Sequence, residues 1–416
     1  MIAYSELGRR AQLPTIARLM TLALENPRLL SLAAGFTDNR TLPVQLVSAA
    51  IATLAKARAT DPEHLQYGLN QGRLGLRRQL ARHLLAHEPG LDGNPVATES
   101  RFIITNGSQQ ALYLAMQVLC APGDIVLVDR PSYFVFLEML AGLGLEARSL
   151  PTTAAGELDR DGLRGLLATM KADGSAARLK AVYFVSYFSN PSGRSQSAGE
   201  KSLVAEELAA AGLFIPAIED AAYRDLYFSA PHPAPSFLSL PAWVDFPRFY
   251  TSTLTKTFAT GLKVGYGTCT DPQWLAKMLH VKGHHDFGSA HLNQAICEHA
   301  LVTGAFQSHL ANVLRPTYER KMQVLNTALE AGGLRERGWR WEKPSGGLYL
   351  WLEAPAALDT GLDSAFCRAC VAAGVLYVPG DLCFGDQPAR NFVRLSYGVL
   401  SEDNLTEAAR RFCSQA

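Results

Sequence analysis

The sequence lacks both a long apolar segment and a large net charge. No stretch of about 18 apolar residues is present for a membrane span, and the first residues, MIAYSELGRRAQLPTIARLM, lack the apolar core of a secretory signal. The 39 basic residues nearly balance the 38 acidic residues, so the chain offers no broad basic field for nucleic acid. We therefore expect a cytoplasmic protein that binds neither membranes nor nucleic acid.

The sequence also lacks the cysteine pattern of a disulfide framework. Its seven cysteines are an odd count in a chain of 416 residues. Cys367 and Cys370 form a C-x-x-C pair, but no further ligands at zinc-site spacing stand nearby, and the surrounding SAFCRACVAAG is typical of a helix. The adjacent His284 and His285 point in different directions, which favours a polar loop over a shared metal. We expect packed cysteines and no metal site.

What the chain does have is a regular alternation of short apolar runs and longer amphipathic ones. The apolar runs, from about residue 100 onward, are RFIIT, DIVLVD, LKAVYFV, LFIPAIED, RFYTSTL and VGYGTC. Strands that are apolar throughout and take turns with helices indicate an α/β fold, in which helices cover both faces of a mostly parallel sheet. The length exceeds that of a single core, so we expect two domains.

The pattern changes after about residue 330. WRWEKPSGGLYLWLE predicts paired strands, DSAFCRACVAAG a helix, NFVRLSYG a strand, and SEDNLTEAARRFC a final helix with Ser401 as its N-cap. We therefore predict three parts: an N-terminal segment, residues 1–45, that joins the small domain; a large domain, residues 46–310; and a C-terminal small α+β domain, residues 311–416.

Polar side chains follow the strands of the predicted large domain, at the edge where open α/β sheets bind ligands. Ser108 is either a plain helix cap or part of an anion site at a helix start, Tyr133 either core or a stacking platform, and Asn190 in NPSG either a plain turn residue or an amide donor. Asp220 ends a buried strand, which is costly unless the carboxylate meets a cation. Lys256 is either a surface lysine or a functional one.

Each signal is weak alone, but together they match the needs of pyridoxal 5′-phosphate. A lysine can bind the cofactor's aldehyde covalently, and a carboxylate can keep its pyridine nitrogen protonated. An amide and a phenol can hold the ring oxygen, a helix start can take the phosphate, and an aromatic ring can cover one face.

These motifs resemble those of the fold-type I, pyridoxal-phosphate-dependent class I/II aminotransferases. The similarity is greatest to the branch that contains 2-aminoadipate aminotransferases and the catalytic domain of MocR-type regulators. The motifs QYGLNQGRLGLRRQL, TNGSQQAL, NPSG, EDAAY, STLTK and NFVRLSYG occur in the family's order. The resemblance implies a seven-stranded-type sheet in the large, cofactor-binding domain. It also implies a homodimer with shared active sites, in which Tyr67 reaches the phosphate of the neighbouring subunit.

The resemblance assigns a role to each further site residue. The cofactor phosphate is expected to lie against Gly107, Ser108, Gln109, Thr253, Thr255 and Lys263, and the ring against Tyr133, Asn190, Asp220 and Tyr223. Lys256 is expected to be the catalytic residue and the covalent attachment point. Arg394 is expected to bind the substrate α-carboxylate, with Gly35 and Asn190 beside it, since a guanidinium fork suits a carboxylate.

Two positions depart from the family pattern. Lys263 in GLKVGY stands where the family usually has arginine, so the positive charge is kept but the rigid fork is lost. Arg18 in PTIARLM lies one position away from an arginine that can bind an acidic substrate side chain.

The predicted function is transfer of the amino group of an L-amino acid to a 2-oxo acid, with 2-oxoglutarate as the expected acceptor, by ping-pong chemistry. Another pyridoxal-phosphate reaction on the same scaffold, as in a racemase, lyase or decarboxylase, is the alternative, and the amino donor is left open. A ligand-sensing regulator is a further alternative. It would carry a winged-helix domain ahead of the catalytic one. Because the family match begins within about the first 15 residues, we expect no such domain.

Overall fold

The computed structural model describes residues 2–15, 17, 19, 21, 25–26, 28–57 and 62–416. Its strands are β1 Leu30–Ser31, β2 Phe102–Asn106, β3 Ile125–Val128, β4 Glu146–Ser149, β5 Leu179–Val185, β6 Ala217–Asp220, β7 Arg248–Thr253, β8 Val264–Cys269, β9 Arg340–Trp341, β10 Tyr349–Glu353, β11 Val375–Leu376, β12 Val378–Pro379 and β13 Phe392–Ser396.

Helices of the described residues surround these strands. They include α1 Glu6–Arg10, α2 Val44–Ala57, α3 Leu74–His87, α4 Gly107–Leu119, α5 Phe134–Leu143, α6 Arg160–Ala172, α7 Ala198–Ala210, α8 Leu254–Thr257, α9 Pro272–His285, α10 His291–Val302, α11 Ala305–His309, α12 Arg315–Ala331, α13 Ala365–Ala372 and α14 Glu402–Cys413. Within the described part of the chain, none of the helices has both the length and the apolar character that a membrane crossing needs.

A seven-stranded sheet forms the centre of the large domain. Its order is β2-β8-β7-β6-β5-β3-β4. Only β8 runs antiparallel to its neighbours. Strands β3, β6 and β7 are buried at every position, as expected for a parallel sheet covered on both faces. The predicted fold class is confirmed. The carboxyl ends of the other six strands, β2 to β7, therefore meet at one edge of the sheet.

A four-stranded antiparallel sheet, β12-β13-β10-β9, forms the small lobe. The predicted pairing within WRWEKPSGGLYLWLE is confirmed, with Leu352 opposite Trp341. The final helix also forms as predicted, because the hydroxyl of Ser401 accepts a hydrogen bond from the N–H of Asn404. In addition, β1 pairs with β11, which ties the N-terminal segment to this lobe.

The domain boundaries at residues 45 and 310 remain a prediction, and residues 305–331 form one continuous helical run through the second of them. The C-x-x-C segment forms α13 as predicted, with Cys367 and Cys370 both buried. The prediction of a polar loop at His284 and His285 is wrong, because both residues belong to the last turn of α9.

Candidate active site

Lys256 lies in α8, one short turn beyond the end of β7. The turn begins because the Thr253 hydroxyl caps it, accepting a hydrogen bond from the N–H of Thr255 at 3.1 Å. The two threonine hydroxyls are 2.8 Å apart, so they form a pair beside the lysine. The ammonium group of Lys256 donates to the carbonyl of Gly35 at 2.5 Å, which joins the N-terminal segment to the end of the strand.

The surroundings of Lys256 favour its neutral form. Burial lowers the pKa of its amine to about 8, and the positive charges of Lys263 and Arg394 act in the same direction. A lysine with a pKa near neutrality can act as a base or nucleophile, which an ordinary surface lysine cannot do well. The interpretation of Lys256 as a plain surface residue therefore does not fit the structure.

Asp220 ends β6 in a buried position with one hydrogen bond to each oxygen. Its Oδ1 accepts from the N–H of Ala222 at 3.0 Å, and its Oδ2 accepts from the phenol of Tyr183 at 3.2 Å. Burial raises the pKa of the carboxyl to about 6, and the charge of Glu219 acts in the same direction, while the two hydrogen bonds oppose them. No cation of the described chain is among the groups that shift this pKa. The site therefore suits a ligand that brings a positively charged group, such as a pyridinium.

Arg394 lies on β13 and is fully buried. Its Nη1 donates to the amide oxygen of Asn190 at 2.8 Å, and its Nη2 donates to the carbonyl of Ala33 at 2.6 Å. The guanidinium lies 4.4 Å from the ring centroid of Tyr349. Among the described residues, the buried Nε has no hydrogen-bond partner. Buried donors are normally satisfied, so this one fits a bound carboxylate.

The phenols of Tyr223 and Tyr349 meet beside this arginine. Their hydroxyls are 3.1 Å apart, and both side chains are buried. A Cβ atom at Gly35 would lie 2.8 Å from the Tyr349 hydroxyl, so only glycine lets the backbone come this close. The side-chain amide oxygen of Asn190 accepts the hydrogen bond from Arg394. The side-chain NH2 group of Asn190 is therefore free to donate to a ligand.

The start of α4 is held against the start of β8. Gly107 has a φ of +69°, and its N–H donates to the carbonyl of Lys263 at 2.6 Å. A Cβ atom at Gly265 on β8 would lie 2.2 Å from the carbonyl carbon of Gly107 and 2.5 Å from the nitrogen of Ser108. The helix start thus packs against a position of β8 where there is no room for a side chain. The free N–H groups of the helix start can bind an anion.

Tyr133 is the N-cap residue of α5 and is half-buried, and its hydroxyl donates to Gln109 at 3.4 Å. Tyr67 stands apart from the cluster. It is 82% exposed and packs edge-on against Phe287, with ring centroids 6.0 Å apart. The predicted site residues other than Tyr67 lie at the edge where the carboxyl ends of the central strands meet, on the N-terminal segment, or on β13. Gly35 joins Lys256 to Tyr349 and so to Arg394. Arg18 lies outside the described residues.

Sequence reasoning missed two tyrosines of this cluster. Tyr349 lies under the guanidinium of Arg394, and Tyr183 holds the Asp220 carboxylate. Both stand inside apolar strands, LYLWLE and LKAVYFV, where an aromatic residue is typical of core. The strand-end argument covered only residues that follow a strand and so could not find them.

Comparison with known proteins identifies the family. The profile of "Aminotransferase class I and II" matches residues 27–412. The chain belongs to this family. The aminotransferase is 29% identical over 410 residues to the 2-aminoadipate transaminase of Thermus thermophilus, covering 98% of this chain and 95% of that protein. It is 28% identical over 409 residues to aromatic-amino-acid aminotransferase 1 of Thermococcus litoralis, covering 98% and 92%.

A solved structure supports the same assignment. The aminotransferase resembles LysN, the α-aminoadipate aminotransferase of Thermus thermophilus, in its complex with N-(5′-phosphopyridoxyl)-L-leucine. The TM-score is 0.82 at 26% identity, with 99% of this chain and 96% of that chain covered. These findings confirm the predicted family, the aminotransferase activity and the pyridoxal phosphate cofactor. The uncompensated Asp220 carboxylate, the open helix start and the low pKa of Lys256 all fit that cofactor.

Proposed function

We propose that this aminotransferase moves the amino group of an L-amino acid to a 2-oxo acid, with 2-oxoglutarate as acceptor, in two half-reactions of ping-pong order. One observation carries the proposal. A buried arginine with an unsatisfied Nε is joined through Tyr349 and Gly35 to a lysine whose amine has a pKa of about 8. One group can hold a carboxylate while the other acts on the neighbouring carbon.

We propose that the cofactor is held by the residues assigned from sequence. Asp220 would lie against the pyridine nitrogen, Asn190 and Tyr223 against the ring oxygen, and the start of α4 with the two threonine hydroxyls against the phosphate. Pyridoxal phosphate bound there supplies an electron sink for the negative charge that develops at the substrate α-carbon.

The chain's own groups then position the substrate and move its proton. Arg394 binds the α-carboxylate through its Nε and Nη groups, fixed by Asn190 and Ala33. Gly35 leaves room for the carboxylate close to the backbone. The amine of Lys256 would take the proton from the substrate α-carbon and would then deliver it to the aldehyde-derived carbon of the cofactor. Only the neutral amine can take this proton. Since its pKa is about 8, the neutral fraction increases as the pH rises through that value.

The test compares Lys256→Ala with the exposed lysine variant Lys277→Ala, using a panel of amino acids with 2-oxoglutarate. We expect the first variant to lose on the order of 1,000-fold in turnover, as loss of a general base does, and the second to be unchanged. The relatives are named for 2-aminoadipate and aromatic amino acids, so the panel begins with these. Near-normal turnover by Lys256→Ala would contradict the proposal.

A single-turnover experiment separates amino transfer from the alternative reactions on the same scaffold. With an amino acid and no oxo acid, transfer leaves the pyridoxamine form of the cofactor and one 2-oxo acid per site. Racemisation or elimination returns the starting absorbance instead, and that outcome would replace our proposal. The homodimer with Tyr67 shared between subunits and the cytoplasmic location are further parts of the proposal.

A further inference from the structure

A second cluster of titratable side chains joins α3 to the turn after β6. His83 and His87 are four residues apart on α3, so both imidazoles lie on one face of the helix. Both point at the carboxylate of Asp225. Nε2 of His83 lies 3.0 Å from Oδ2, and Nε2 of His87 lies 2.8 Å from Oδ1. The proposed amino transfer uses none of these three residues.

We propose that His83, His87 and Asp225 bind a divalent transition-metal ion such as Zn²⁺, with water completing its coordination. One ligand atom from each of the three residues lies within 4.8 Å of the others, and the described part of the chain contains no other such group of three. Two imidazoles and one carboxylate are a donor set typical of Zn²⁺, Co²⁺ and Ni²⁺, whereas Mg²⁺ and Ca²⁺ prefer oxygen ligands.

The distances from the two imidazoles to the Asp225 carboxylate are close to those between ligands of one metal ion. Zinc binds nitrogen and oxygen at about 2.0–2.2 Å, so neighbouring ligand atoms of a tetrahedral site are roughly 3.3–3.5 Å apart. The two contacts to Asp225 would therefore have to lengthen by only a few tenths of an ångström. The imidazole rings of His83 and His87 are nearly perpendicular, at 88° with centroids 5.0 Å apart, so the two side chains approach a common point from different directions.

The site is also accessible. A cavity of about 310 Å³ opens beside the three ligands and is bordered by both polar and apolar side chains, among them Gln79 and Leu310. The side chain of His87 is 19% exposed, while that of Asp225 is only 8% exposed. An ion could therefore enter with its water ligands, and the carboxylate would still be shielded from bulk solvent.

The neighbouring arginines bond to groups other than the Asp225 carboxylate, so the two histidines are its partners. Arg224 is paired with Glu88. The guanidinium of Arg315 lies 3.6 Å from the ring centroid of Tyr227, and its Nε donates to the backbone carbonyl of Asp225 at 2.8 Å rather than to the side chain. In the absence of metal, imidazole N–H groups therefore occupy the position that the ion would take.

Metal binding must displace these protons. Each imidazole would bind through an unprotonated Nε2, with its proton moving to Nδ1 or leaving to solvent, while Asp225 stays ionised. Affinity should therefore fall as the pH is lowered. The ion would fasten α3 to the chain that continues from Asp220 and Tyr223. We therefore infer a structural rather than a catalytic metal.

The test uses the pyridoxal-phosphate-loaded enzyme, freed of metal by a chelator and then titrated with Co²⁺, whose visible absorption reports its coordination. We expect one Co²⁺ per chain, displaced by Zn²⁺ and not by Mg²⁺. His87→Gln should weaken binding on the order of 100-fold or more, since even groups that hydrogen-bond to a ligand are worth about 10–100-fold. His284→Gln is the matched control, because His280 and His284 are an exposed pair with the same spacing on α9.

Thermal unfolding provides a second measurement, which does not require that His87→Gln folds well. Zn²⁺ should raise the melting temperature of the wild-type enzyme and of His284→Gln, but not that of Asp225→Asn or His83→Gln. The inference is overturned if the wild-type enzyme shows no saturable Co²⁺ binding in the micromolar range, or if His87→Gln binds as well as wild type. These measurements do not involve turnover, so their outcome is independent of the amino-transfer proposal.

Discussion

At the scale of single residues, Lys263 tests how charge tunes the proposed base. Burial is the main cause of the low pKa of Lys256, and the positive charge of Lys263 adds to it. Removing that charge with Lys263→Gln should raise the pKa, by about half a unit if the charge is worth about 0.5–1 kcal/mol in partly solvated surroundings. Lys263→Arg keeps the charge and should leave the pKa unchanged.

The rate at which the apoprotein binds pyridoxal phosphate covalently reports this pKa, because only the neutral amine of Lys256 reacts with the aldehyde. The rate should rise with pH through about 8 in the wild-type protein and in Lys263→Arg, and at higher pH in Lys263→Gln. Both variants also change the proposed contact with the cofactor phosphate, so the midpoint of the profile is compared and not its amplitude. Identical midpoints for wild type and Lys263→Gln would show that the charge has no effect.

The residues that could be predicted from sequence are those whose type is unusual for their place. Asp220 is an acid at the end of a buried strand, and Lys256 is a lysine among threonines. Both residue types are unusual at such positions, and a bound ligand explains them. Tyr183 and Tyr349 are not unusual in this way, because a tyrosine inside an apolar strand is typical of a core residue. Their role in the site becomes visible only in the fold, where the hydroxyl of Tyr183 contacts Asp220 and that of Tyr349 contacts Tyr223.

At the scale of elements, the contact between β8 and the start of α4 sets the position of the helix start that we propose for the cofactor phosphate. We predict that Gly265→Ala pushes the helix start away, because a Cβ atom there would lie 2.2 Å from the backbone of Gly107. The cost in stability should be about 1–3 kcal/mol, as for other overpacked sites, with weaker cofactor binding. Gly261→Ala is the matched control, since no atom lies within 4 Å of a Cβ atom there.

The measurements are the free energy of unfolding in denaturant and the dissociation constant of pyridoxal phosphate. If Gly265→Ala matched Gly261→Ala in both, the close packing of this strand and helix would not matter to the site.

Elements with a strong pattern were predictable, and those defined by distant partners were not. Six of the seven central strands correspond to the apolar runs of the sequence and needed no tertiary information, whereas β4, with the sequence EARS, has no apolar run and was not predicted. The pairing of Leu30–Ser31 with Val375–Leu376 involves two-residue strands that have no periodicity to detect. The proposed metal ligands show the same limit, because Asp225 lies 138 residues beyond His87.

At the scale of the whole molecule, the surface around Tyr67 suggests how two chains meet. Leu65, Tyr67, Leu69 and Phe287 are all between 66% and 82% exposed. Large apolar side chains that are close in sequence or in contact, as Tyr67 and Phe287 are, mark interaction surfaces when they form a patch. A second copy of the chain is the partner that the homodimer proposal requires, and Tyr67, the most exposed of these side chains, would then lie in the contact between the two copies.

Hybrid dimers decide whether Tyr67 serves its own chain or the other one. In a dimer of one Lys256→Ala chain and one Tyr67→Phe chain, sharing between subunits leaves one site with both defects and one site with none. We therefore expect roughly half the wild-type activity from the purified hybrid, because a symmetric dimer carries two equivalent sites. The assay uses a cofactor concentration at which the Tyr67→Phe homodimer is mostly empty. If Tyr67 acted within its own chain, the intact lysine would be paired with the defective tyrosine. The hybrid would then be no more active than half of that homodimer, whereas a hybrid of Lys256→Ala with wild type would keep one intact site in either case.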